Sequence, residues 1–320
     1  ALLVNTIGIR NTAIGQQALA SNTTGSSNTS VGYQSLINNT IGGSNNALGH
    51  RSLYNNISGN NNSAFGYNSL YYNTTNNNSA FGFRALETNT IGTYNTAIGT
   101  LSLLNNTTGN QNTAVGYASL ASNTTATNNT AIGYATLNSN TIGINNTAVG
   151  RSSLQINVSG GANSAFGHYS LLYNSGGSNN SAFGAGALQS NTIGNNNVAI
   201  GLNALYLNKT GASNVAVGVS ALQSNTSGSA NNAFGYRSLY ANTTGSNNSA
   251  FGHYALRDNL TNNNSAFGYQ ALRANTTGGF NSAFGTIALR YNVIGSKNTA
   301  VGFAALQSNT TNNNNAFGYK

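Results

Sequence analysis

The chain has 320 residues, of which 4% are charged and 39 are Gly, with no Pro, Cys, Met or Trp. That composition belongs to a periodic chain rather than an ordinary globular domain. No Cys means no disulfide, thiolate metal site or thiol nucleophile, and two acids against eleven Lys and Arg leave neither a carboxylate pair for acid–base chemistry nor a calcium ligand set. The formal charge of +9 would raise nucleic acid as a partner. However, Arg10, Arg51, Arg84, Arg151, Arg237, Arg257, Arg273 and Arg290 form no linear cluster, so no nucleic acid is expected. No apolar run reaches the roughly eighteen residues of a membrane span, and no basic and apolar leader opens the chain.

A repeat governs the whole sequence. The Gly that closes each Ala-apolar-Gly triplet recurs nineteen times, from Gly15, Gly32 and Gly49 to Gly302 and Gly318, at spacings of seventeen with three of sixteen. The coil reads N-[TS]-A-[FIV]-G-x-x-[AS]-L-x-x-N-T-[TI]-G-x-x. Its first element, N-T-A-I-G at Asn11 to Gly15, is short, β-branched and bounded by Asn and Gly, which predicts a strand. Asn and Gly recur too densely for a helix. Next comes Leu four residues after the Gly (Leu19, Leu70, Leu86), then Asn seven after it, then a Thr-x-Gly turn. Asn and Gly supply the unusual backbone conformations that tight turns need. The three short copies carry Thr75 to Asn78, Thr261 to Asn264 and Thr311 to Asn314 at this point, having lost the second Gly.

Residues 1–320 therefore read as one continuous array, an all-β parallel β-solenoid (β-roll) of about nineteen coils, each with two or three short strands. Stacking at about 4.8 Å per coil gives a rod of roughly 90 Å. Fixed positions become columns: Asn11, Asn28, Asn62 and Asn112 in one, Asn22, Asn39, Asn73 and Asn123 in a second. Identical amides at that spacing are expected to hydrogen-bond from rung to rung, as in cross-β structures. The expected core is the apolar residue before the Gly (Ile14, Phe65, Phe81) with the Leu after it (Leu19, Leu70, Leu86). Alternation along a strand then places the near-invariant Ala outside, where a small apolar face predicts lateral packing into a homo-oligomer.

On the surface, the residue after the Gly forms an aromatic stripe through Tyr33, Tyr67, Tyr117, Tyr134, Tyr236 and Tyr269. It reads as either a subunit contact or a face for a receptor or glycan. His50, His168 and His253 share that position but lie coils apart, so no metal or cofactor is expected. Thr-rich turns such as Asn22-Thr23-Thr24 recur in register, as in a flat ice-binding face, although Lys209 and Leu260 interrupt the row. N-x-[ST] sequons at Asn22, Asn73, Asn123, Asn242 and Asn275 are possible glycan sites in a secreted chain, and the repeat also generates them automatically. Both ends fall in phase with the repeat and lack caps. This predicts either excision from a longer array or subunits stacking end to end into a filament.

The pentads at Asn11 to Gly15 and Asn62 to Gly66 resemble the N-S-V-A-I-G head repeat of trimeric autotransporter adhesins. The longer coil looks like repeats of phage-type tail fibres. The resemblance covers the chain through one five-residue motif, and it implies a homotrimeric, extracellular or virion-surface fibre. Thr or Ser stands where the adhesin repeat favours Val. The sequence thus points to a non-enzymatic structural or adhesive shaft, with a self-stacking filament and an ice-binding solenoid as further readings.

Overall fold

The structure is a computed structural model that describes residues 1–319. It falls into two units, Ala1–Gly161 and Ala162–Lys320, each a parallel β-solenoid without helix among the described residues. Unit one carries nine strands, from β1 (Thr12–Ile14) and β2 (Thr29–Val31) to β9 (Thr147–Val149). Unit two carries ten, from β10 (Ser164–Phe166) to β19 (Asn315–Phe317). Every strand has three residues, so a coil holds one regular strand rather than two or three. Neighbours pair in parallel and in register, Thr12 with Thr29 and Ile14 with Val31. The sixteen-residue coils keep that register, as between Ser63 and Ser79.

Hydrogen bonding between coils does not stop at the strand. Leu36 donates its backbone N–H to Ser52 at 2.9 Å, and Thr23 donates to Thr40 at 2.9 Å. The turns are thereby satisfied by the next coil, as buried backbone requires.

The strand faces are opposite to the sequence expectation. Ala64 and its equivalents from β2 to β18 are buried, Ser30 taking the place in β2, whereas Ile14 is 60% and Phe81 37% exposed, and Phe65 is only partly covered. Ile14, Phe65 and Phe81 are thus not core residues. Leu19, Leu70 and Leu86 are completely buried. The reason is width. Each inner coil already encloses one Leu and two Asn, such as Leu36, Asn28 and Asn39, and beside them the buried centre of the strand holds only Ala or, once, Ser. Where Ser30 replaces the Ala, its hydroxyl donates to the Ser35 carbonyl at 2.8 Å.

Two backbone features make so tight a coil. The repeat Gly takes φ near +130° (Gly116 +127°), and a Cβ there would lie 2.3 Å from the Gly133 carbonyl oxygen of the next coil. The buried Leu is left-handed in every coil, with φ of 50° at Leu19 and Leu120. That conformation costs roughly 1–2 kcal/mol, and full burial of the side chain returns about 1.5–3 kcal/mol. β-branched residues fit such a φ poorly; Ile287 adopts a φ of 53° at a half-buried turn position, but Ile and Val, frequent elsewhere, never take the fully buried Leu position.

Two expectations follow for chemical denaturation. Gly116→Ala should cost about 2–4 kcal/mol, the sum of a Gly-only conformation and a steric clash. At Leu120, Ile should cost more than Met by about 1–2 kcal/mol, although Ile is nearer in shape to the core residues of ordinary strands. Equal losses for the two would refute the backbone explanation.

Candidate functional surface

Inside each coil two Asn side chains converge on one carbonyl. The Gly42 oxygen accepts from Asn28 Nδ2 at 2.8 Å and from Asn39 Nδ2 at 2.9 Å. The two columns otherwise behave differently. Asn39 also donates to Asn22 Oδ1 at 2.9 Å, and Asn56 donates to Asn39 at 3.0 Å, a true amide ladder. In the other column the Oδ1 of Asn11 accepts the backbone N–H of Asn28 at 2.9 Å, so it is built chiefly from side chain to backbone. Asn62 and Asn112 repeat that contact with the preceding rung at 3.0 Å. All these donors and acceptors are spent internally.

This geometry corrects the sequon reading. Asn22, Asn73, Asn123, Asn242 and Asn275 all belong to the ladder column and are fully buried. Their amide nitrogens are committed to hydrogen bonds such as Asn22 to Asn5 at 2.7 Å and Asn123 to Asn106 at 2.7 Å. In the fold they offer no glycan-bearing surface.

The sixteen-residue coils interrupt the ladder. Their Thr carbonyl replaces the missing Gly, accepting Asn62 at 2.6 Å and Asn73 at 2.8 Å on Thr75. As a result the Asn73 to Asn56 rung stretches to 3.5 Å. In unit two, Asn242 Oδ1 and Asn292 Oδ1 are buried without a partner, each just before a short coil.

Outside, two rows flank the repeat Gly. The row before it stacks Phe234, Phe251, Phe267 and Phe284 with centroids 4.7, 4.8 and 4.8 Å apart. The row after it stacks Tyr33, His50, Tyr67 and Phe83 at 5.1, 4.9 and 5.4 Å. Tyr117 lies 5.3 Å from Tyr134. In unit two, His253 sits between Tyr236 and Tyr269 at 4.9 and 5.7 Å. The aromatic stripe of the sequence is therefore a stack, and an apolar row runs beside it. The Thr row differs from a free hydroxyl array, because Thr23 and Thr40 donate their hydroxyls to the next coil at 3.1 and 3.2 Å.

Charged groups follow a separate track. Arg84 pairs with Glu87 at 2.6 Å, and Asn68 donates to the same carboxylate at 3.0 Å. Among the described residues no group of three His, Cys, Asp or Glu gathers to hold a metal. Sequence reasoning missed one cluster: Arg237, Arg257, Arg273 and Arg290 come together on four successive coils of unit two. Backbone bonds fix their stacking, with Asp258 donating to the Arg273 carbonyl at 3.0 Å and Ala274 to that of Arg290 at 3.0 Å. The hydrogen bond from Arg257 to Asp258 raises its guanidinium above the ordinary arginine range. The signal was present in the repeat frame, since three of the four Arg hold the same position in consecutive coils.

No protein-family model matches the chain, and no curated relative matches it.

Removing one rung tests the ladder. Asn123→Ala leaves Asn106 Oδ1 and one Asn140 N–H buried without partners, at an expected cost of about 2–4 kcal/mol. Native-state hydrogen exchange should localise that loss to the neighbouring coils of unit one. Inserting Gly after Thr261 should instead restore a rung to Asn242 and slow exchange around it.

Proposed function

We propose that this Asn-laddered β-solenoid serves as a non-enzymatic structural shaft whose coils associate side by side with further copies of the same chain, in an extracellular or surface-borne fibre. The double row of outward aromatic and aliphatic side chains carries the reading. Phe183 is 40% and Phe284 41% exposed, and the stacked Phe residues from Phe234 to Phe284 form a contiguous apolar strip of the kind that marks interaction sites. Its partner must be apolar and regular at the coil repeat, and a second copy supplies both. The aromatic row beside it adds ring area at low entropic cost. The resemblance to adhesin-head and tail-fibre repeats supports an extracellular setting, and the absence of Cys is compatible with any redox compartment.

Sedimentation velocity is the direct test. The native chain should sediment as an oligomer at micromolar concentration. Phe251→Ser combined with Phe267→Ser should lower the mass to that of a monomer while the far-ultraviolet spectrum is preserved. A native chain that is monomeric at high concentration would overturn the proposal.

A further inference from the structure

The charge distribution of unit two goes beyond a structural shaft. Among 320 residues only eleven are Lys or Arg, yet Arg237, Arg257, Arg273 and Arg290 occupy four consecutive coils. At the rung spacing of about 4.8 Å such like charges repel, and Asp258, bonded to Arg257 at 2.7 and 2.6 Å, answers only one of them. The guanidinium groups are held over tyrosine rings rather than waving in solvent. Arg237 lies 5.2 Å from both Tyr236 and Tyr240, Arg257 and Arg273 lie 5.7 Å from Tyr254, and Arg290 lies 4.9 Å from Tyr291. The Nε atoms of Arg237 and Arg290 are buried without a hydrogen-bond partner. The cations are thus partly desolvated and fixed in place, which strengthens their pull on an anion and lowers the entropic cost of engaging one.

We propose that this arginine column is a binding track for a linear anionic polysaccharide, a chain of uronate or sulfated sugars laid along the stack with successive acidic groups meeting successive guanidinium groups. Linearity and repeat favour a polymer over a single anion. A single-stranded nucleic acid stacks its bases on open aromatic faces, whereas the half-buried rings of Tyr236, Tyr240 and Tyr254 are faced by arginine. A sugar chain needs only the charges and the ring edges and hydroxyls that remain.

Binding of the full native chain to polygalacturonate and to heparin, measured by calorimetry, tests this, with dextran and poly(dT) as comparisons. Affinity for at least one acidic glycan should be measurable and fall steeply with added salt. Arg257→Gln, Arg273→Gln and Arg290→Gln together should weaken it tenfold or more, whereas Arg10→Gln with Arg51→Gln, also a loss of positive charge, should leave it unchanged. Asp258→Asn should strengthen it, and single Arg273→Gln covers the case in which the triple variant fails to fold. The polygalacturonate and heparin arms separate carboxylate from sulfate recognition. Absence of binding to both glycans, equal binding to dextran, equal loss in the Arg10 and Arg51 control, or a clear preference for poly(dT) would each overturn the proposal.

Discussion

The whole coil depends on one junction, the carbonyl on which two asparagine amides converge. It turns the chain without charge, fills both lone pairs of a buried oxygen, and hands each amide's own oxygen to the adjacent coil. A lone buried amide without partners would cost several kcal/mol, whereas here every rung supplies the partner of the next. The requirement explains the composition directly. Asn is needed twice per coil, and the residue bearing the carbonyl is best as Gly, since a Cβ at Gly25 would fall 2.5 Å from Asn22 Oδ1. Ala126 shows the limit of that rule, because its carbonyl still accepts Asn112 at 2.8 Å and Asn123 at 3.1 Å.

Much of this was legible in the sequence, and the part that was not follows from one assumption. Repeat length, parallel stacking, the two Asn columns and the inward Leu can all be read from a single coil. The facing of the strand cannot be read from residue size alone, because burying the larger side chain is right only where the interior is wide enough. Variation within the chain held the correction. Eighteen of nineteen strands keep Ala at the centre while the next position ranges over Val, Ile, Leu and Phe, and a close-packed interior does not tolerate that range of volumes. The invariant small residue was the core.

The same inversion gives the surface its character. Large apolar side chains stand outward in ordered rows, where stacking on their neighbours replaces part of the burial they lack. Charge is treated in the reverse way: arginines sixteen and seventeen residues apart in sequence, at Arg257, Arg273 and Arg290, become nearest neighbours. A linear scan measures distance along the chain, and in a solenoid the physically short distance is one coil.

The ladder also has a direction. Asn22 donates to Asn5, Asn39 to Asn22 and Asn56 to Asn39, so within unit one the side-chain dipoles line up head to tail, much as peptide dipoles do along a helix. Aligned hydrogen bonds polarise one another, and such a column behaves as a small dielectric wire. The short coil of unit one only stretches this column, at the 3.5 Å rung from Asn73 to Asn56, whereas in unit two the missing contacts at Asn242 and Asn292 Oδ1 divide it into separate aligned lengths.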